Sequence, residues 1–137
     1  MANILCVDDD KDILDTCEVI LSKKGHKVFT AFSGKEGLKK AIESKPELIV
    51  MDVMMDDFTD GFTAVQKIRK EESLKYTPIL MLTSVNQHFP QKFGEKDGAY
   101  LPVDSFMEKP LKPTDFLNKI TELLARKKED INVEGKE

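Results

Sequence analysis

The chain has 137 residues, of which 40% are hydrophobic and 34% charged, and carries a net charge of −4 at pH 7. That length supports one domain with its own core, and the composition excludes a disordered or collagen-like chain. No apolar run reaches the ~20 residues of a membrane span, no signal-peptide pattern follows Met1, and a mildly acidic chain lacks the concentrated Lys and Arg of a nucleic-acid binder. The expectation is a cytoplasmic protein with neither a membrane nor a nucleic acid as partner.

Ile4 to Val7 is a first apolar run, predicted as a strand and stopped by Asp8-Asp9-Asp10, which a buried strand cannot continue into. Ile13, Leu14, Cys17, Ile20 and Leu21 then recur with helical spacing, and Gly25 follows as a stop. Lys27 to Ala31 is predicted as a short second strand. Ser33 with Glu36 has the spacing of a capping box for a second helix, whose inward residues are Leu38, Ala41 and Ile42. Leu48 to Met51 is continuously apolar and predicts a strand buried on both faces, which delivers Asp52 to its C-terminal end. A carboxylate there is either a cap for the following loop or a reactive group in the ligand crevice of an open α/β sheet.

After Gly61, Phe62, Val65 and Ile68 give a third helical stripe that fades at Arg69 to Glu72. Pro78 introduces a fourth strand, Ile79 to Leu82, which ends in Thr83-Ser84. Ser105 to Glu108 is a weaker fifth strand ending at Lys109-Pro110. A last helix begins near Pro113 and buries Phe116, Leu117, Ile120, Leu123 and Leu124. Residues 1–127 are expected to form the domain and 128–137 a charged, disordered tail, with fraying from Arg126. Cys6 and Cys17 lack metal or redox spacing and read as buried thiols, while His26 and His88 read as isolated surface residues.

Strand and helix alternate five times, which predicts an α/β domain with a parallel sheet covered on both faces. The C-terminal ends of parallel strands share one edge, so Asp8, Asp9, Asp52, Thr83-Ser84 and Lys109 would be gathered there. Neighbouring carboxylates repel one another, and a hard dication with oxygen ligands, Mg²⁺, relieves that repulsion. Each member also has a plainer reading: Asp8 to Asp10 as a helix cap, Thr83 as a strand-end turn residue, Phe106 as core.

The set VDDD at the end of strand one, Asp52 after LIVM, Thr83-Ser84 after ILML and FMEKP at 106–110 resembles the receiver domain of two-component response regulators. The resemblance runs from Ile4 to Leu124 and is to the stand-alone, chemotaxis-receiver type. It implies a flavodoxin-like, doubly wound five-stranded parallel sheet of order 2-1-3-4-5 with helices on both faces. It further implies that Asp52 is the phosphoacceptor for a histidine kinase or phosphotransfer protein. Mg²⁺ would be held by Asp8, Asp9, Asp52 and the backbone carbonyl of Met54. Thr83 and Lys109 would stabilise the phosphoryl oxygens, and Thr83 and Phe106 would form the switch. Such a domain signals by changing conformation and is not an enzyme. Two alternatives stay open: a Mg²⁺-dependent phosphohydrolase with an aspartyl intermediate, and a pseudo-receiver that only binds. Met54 stands where the first of these carries a second Asp, and the intact site set speaks against the second.

The chain departs from the family pattern in two places. Asp56 occupies a position where receivers commonly carry proline, and Asp60-Gly61 arrives one residue late. Between Ser84 and Val103, Pro90, Gly94, Gly98 and Pro102 break any long helix, so the helix-four region is expected to be remodelled. Its Phe89, Phe93, Tyr100 and Leu101 either cover the sheet edge or, within residues 84–106, belong to a surface for a downstream protein. Met54 and Val85 are apolar where the family places residues that govern water access, which implies slow self-dephosphorylation.

Overall fold

The computed structural model describes residues 2–52, 58–84, 104–109 and 111–136, with side chains described except at 58–62, 83, 84, 109 and 126–136. Strands β1 (Asn3–Val7), β2 (Lys27–Ala31), β3 (Leu48–Asp52), β4 (Ile79–Ser84) and β5 (Ser105–Lys109) form one sheet in the order β2-β1-β3-β4-β5, and every pairing is parallel. Helices α1 (Lys11–Ser22), α2 (Gly34–Ser44), α3 (Phe58–Lys70) and α4 (Pro113–Lys136) and a 3-10 turn, Glu72–Leu74, complete the described elements.

Continuous apolar strands follow from covering the sheet on both sides, because successive side chains point to opposite faces. Leu5, Val7, Ile49, Met51, Ile79 and Met81 face one core, where they meet Ala41 of α2 and Ala64, Val65 and Ile68 of α3. Ile4, Cys6, Leu48, Val50, Leu80 and Leu82 face the other, against Leu14, Cys17, Ile20 and Leu21 of α1 and Phe116, Ile120 and Leu123 of α4. Each such fully buried aliphatic side chain contributes about 1.5–3 kcal/mol relative to exposure. The central strand β3 is buried along its whole length, whereas edge strand β2 buries only its last residue fully.

The helix ends follow local chemistry. Asp10 caps α1, its side chain accepting the Asp12 N–H at 2.9 Å. Ser33 caps α2, with its Oγ accepting the Glu36 N–H at 3.1 Å, and Glu36 reaches back to the Phe32 N–H at 2.8 Å. This is the expected capping box with its return bond shifted by one residue. Helix α3 begins at Phe58, earlier than the expected start after Gly61. Asp60-Gly61 lies inside the helix, where a glycine costs about 1 kcal/mol that burial of Ala64, Val65 and Ile68 offsets. Pro113 opens α4, where its missing N–H is harmless, and the helix bounds run past Arg126 to Lys136. The expected remodelled region, residues 84–103, lies outside the described residues after Ser84.

One expectation is corrected at the N-terminal edge of the sheet. His26 is half-buried rather than an isolated surface residue, and its Nδ1 accepts the Ala2 N–H at 3.1 Å. The turn from α1 to β2 brings it there: the Lys27 N–H donates to the Ala2 carbonyl at 2.8 Å, so the preceding residue stands over the start of β1. Among the described residues, no helix is long and apolar enough to cross a membrane.

Candidate functional site

The strand order reverses between β1 and β3, since β1 connects to β2 on one side and β3 continues towards β4 and β5 on the other. Such a switch point opens a crevice beyond the strand ends, because the flanking connections leave in opposite directions. Asp8 follows directly after β1, and Asp52 is the last residue of β3. Val7 pairs with Met51, so the two carboxylates stand one step beyond the last paired position on adjacent strands.

Each carboxylate is fixed by its neighbours. The Asp8 N–H donates to the Ala31 carbonyl at 3.1 Å, so the end of β2 holds the backbone at Asp8. One Asp8 oxygen accepts the Asp10 N–H at 2.9 Å. The acidic triplet therefore divides its work: Asp10 caps α1, while Asp8 and Asp9 stand beside Asp52. The cap reading of the triplet thus holds for Asp10. Asp8 and Asp52 are each only 1% exposed, and Asp9 is half-buried. One oxygen from each of the three lies within 4.8 Å of the others.

That geometry suits a hard cation. Six oxygens about 2.1 Å from a Mg²⁺ ion stand about 3–4 Å from one another, close to the observed spread, and carboxylates are the oxygen donors it prefers. Two of these acids are buried, and among the described residues no buried side-chain nitrogen or oxygen lacks a hydrogen-bond partner. The cluster is thus ordered and concentrated in negative charge, the condition under which a dication binds most favourably.

The remaining expected site residues are placed to differing extents. In the β3–β4 register Asp52 pairs with Leu82, so Thr83 is the next residue of β4, beyond that pair. Between β4 and β5, Thr83 pairs with Glu108 and Ser84 with Lys109, which brings the backbone of Lys109 to the same edge. The side chains of Thr83 and Lys109 lie outside the described set, as does Met54 entirely. Phe106 pairs with Met81 and is 42% exposed, so it is not the plain core residue that one reading allowed. Neither cysteine belongs to the site. Both are buried, and the hydrogen bond with Cys17, followed by burial, pushes the Cys6 thiol well up from its ordinary range, which makes it inert.

The fold and its acidic switch point define a class of protein: doubly wound parallel domains that gather carboxylates where strand order reverses. The sequence matches the response regulator receiver domain family over residues 4–121. The chain belongs to that family, whose members are signalling domains of two-component systems.

It is 37% identical over 123 residues to the alkaline phosphatase synthesis transcriptional regulatory protein PhoP of Bacillus subtilis (strain 168), covering 90% of this chain and 48% of that protein. It is 30% identical to Protein PilH of Pseudomonas aeruginosa, covering 91% of this chain and 99% of PilH. The chain thus spans about half the length of curated relatives such as PhoP and nearly all of PilH. Among solved structures, the chemotaxis protein CheY4 of Vibrio cholerae is similar with a TM-score of 0.78 and 32% identity, over 90% of this chain and 98% of that one.

Proposed function

We propose that this receiver accepts a phosphoryl group on Asp52 from a histidine kinase or a phosphotransfer protein, in a Mg²⁺-dependent reaction, and passes the signal on by a change of conformation. The observation that carries the reading is the convergence of Asp8, Asp9 and Asp52 within 4.8 Å at the switch point, with Asp52 buried at a strand end.

In the transfer, an Asp52 carboxylate oxygen attacks phosphorus and forms an O–P bond. The P–N bond of a phosphohistidine donor breaks, and its electron pair stays on the imidazole. Asp52 suits this role because a strand rather than a loop holds it, and such reactions depend mainly on positioning and charge neutralisation. Asp8, Asp9 and Asp52, with the Met54 carbonyl, would hold Mg²⁺, which would supply positive charge to the transferring oxygens. Lys109 contributes a positive charge and Thr83 a hydroxyl donor to the phosphoryl group; their backbones stand at the same strand ends as Asp52.

Thr83 and Phe106 act as the switch. An exposed ring on β5, across from Met81, has apolar surface to bury if it turns inward, which supplies the two-state element that phosphorylation biases. A downstream protein in the cytoplasm would read the change through residues 84–106.

Intact-mass measurement after incubation with Mg²⁺ and acetyl phosphate tests the reading. One added phosphoryl group on the wild type, absent from Asp52→Ala and absent when the metal is chelated, is the expected result. Phosphorylation of Asp52→Ala to the wild-type extent would refute it.

A further inference from the structure

A second surface, on α2 and α3, is not used by the acidic site. Leu38 and Ile42 lie one turn apart on α2; Leu38 is partly buried against the core, while Ile42 is 38% exposed. Lys35 and Lys39 share that face, each standing three residues before one of them, Leu38 and Ile42 respectively. Together with Ser33 and Glu36 they line a shallow, largely apolar cavity of about 530 Å³. A groove of about 290 Å³ between α2 and α3 shares Lys35 and Leu38 and adds Lys67 of α3. The two hollows meet at Lys35 and Leu38 and form one strip, apolar around Leu38 and Ile42 and edged by lysines.

Among the described residues, the charge on this strip is not neutralised locally. Glu36, the acid in its lining, is already engaged: one oxygen accepts the Phe32 N–H and the other lies 3.6 Å from Lys40. Among the described residues, Lys35, Lys39 and Lys67 have no ion-pair partner. Glu43 lies on the next turn, outside the cavity lining. The chain as a whole carries −4, so the strip is a local reversal of sign. An acidic partner is repelled by the carboxylate edge and attracted here, and complementarity of this kind sets where and how fast partners dock.

We propose that this strip is a docking site for an acidic amphipathic helix of a partner protein. Such a helix lays its apolar side chains over Leu38 and Ile42, and its Asp or Glu side chains meet Lys35, Lys39 and Lys67. A groove between two helices accepts a third along its length, with anchors repeating every three to four residues. The inference does not depend on phosphorylation of Asp52.

The test is an amide chemical-shift titration of the full chain with three synthetic helical peptides. They share one leucine stripe and carry Glu, Gln or Lys beside it. The Glu peptide is expected to shift resonances of residues 34–42 and 63–67, with an affinity that falls as salt rises. The Gln and Lys peptides should leave those residues unmoved. The triple variant Lys35→Glu/Lys39→Glu/Lys67→Glu, shown folded by an unchanged far-UV spectrum and melt, should weaken the Glu peptide by at least about tenfold. Equal binding of the Gln peptide, shifts confined to α1 or to the acidic edge, or unaltered affinity in the triple variant would overturn the proposal. So would concentration-dependent self-association abolished by the triple variant, since the occupant would then be a second copy of this chain.

Discussion

The two edges of the sheet are built on opposite electrostatic plans. At the C-terminal edge three carboxylates crowd within 4.8 Å, an arrangement of like charges whose repulsion a bound cation would relieve. At the N-terminal edge opposite charges meet. Arg69, near the end of α3, lies 3.0 Å from Asp104, directly before β5, and its guanidinium donates to the carbonyls of Leu74, Lys75 and Thr77. Asp104 in turn accepts the Ile79 N–H at 2.8 Å. One arginine thus ties α3, the 3-10 turn and the entries of β4 and β5 together. An ion pair with its hydrogen bonds thus anchors one edge, while the other gathers groups of like charge.

The largest effect expected from breaking that contrast is on stability. Arg69→Ala removes the ion pair to Asp104 and the guanidinium donors to the Leu74, Lys75 and Thr77 carbonyls; with both side chains mostly buried, it should cost about 3 kcal/mol. Urea unfolding measures it. The surviving folded fraction should still accept a phosphoryl group, because Arg69 is at the far edge. Asp52→Asn should do the reverse, changing stability by no more than about 1 kcal/mol while abolishing phosphorylation. If Arg69→Ala proved neutral, the division of labour between the edges would be wrong.

Next in size is the effect of metal on the acidic edge. On the proposed reading Mg²⁺ binds the folded site and not the unfolded chain, so a concentration one hundred times its dissociation constant should stabilise the wild type by about 2.7 kcal/mol. Thermal melts with and without Mg²⁺ check this. Asp9→Asn should lose most of the increment, whereas Arg69→Ala should keep it in full.

A smaller effect probes how the core supports the site. A Cβ added at Gly37 would lie 2.8 Å from Cγ2 and 3.1 Å from Cγ1 of Val7, the residue that precedes Asp8. Val7 is buried and β-branched, so it has little room to rotate away. The gain in helix propensity recovers about 1 kcal/mol of the overpacking cost, and Gly37→Ala should come out destabilising by about 1–2 kcal/mol. A stabilised Gly37→Ala would show that β1 can yield at this point.

These comparisons also show what could be read from the sequence. The strands were legible because LIVM and ILML have no polar face, and a strand without a polar face must lie inside a covered sheet; their order came only from the resemblance to receiver domains. Asp8, Asp9 and Asp52 were legible because each follows such a run, and a parallel sheet brings those ends together. The start of α3 was not, because Asp60-Gly61 carries a turn signal that tertiary burial overrides. Arg69 was read as the charged end of a helix: its partner Asp104 is 35 residues away, and only the topology puts them in contact. His26 was missed for the same reason, since nothing near it in sequence reveals that the Ala2 N–H needs an acceptor.

His26 supplies the smallest expected effect and the finest test of the anchoring edge. Its pKa is lowered, chiefly by burial and then by the positive chain terminus, with Glu47 opposing in part. The neutral imidazole is therefore the form the fold prefers, and it is the form whose Nδ1 can accept the Ala2 N–H. A base with a lowered folded pKa contributes stability that is present above its unfolded value of about 6.5 and is lost as pH falls through the lower folded value. Wild-type stability should thus decline through that window, and His26→Gln, which cannot titrate, should show a shallower decline. Urea melts of the two proteins at matched pH separate this from the general protonation of carboxylates, which affects both alike. Identical pH slopes would mean that the Ala2 contact is too weakly coupled to folding to matter, leaving the Arg69 clamp as the principal anchor of that edge.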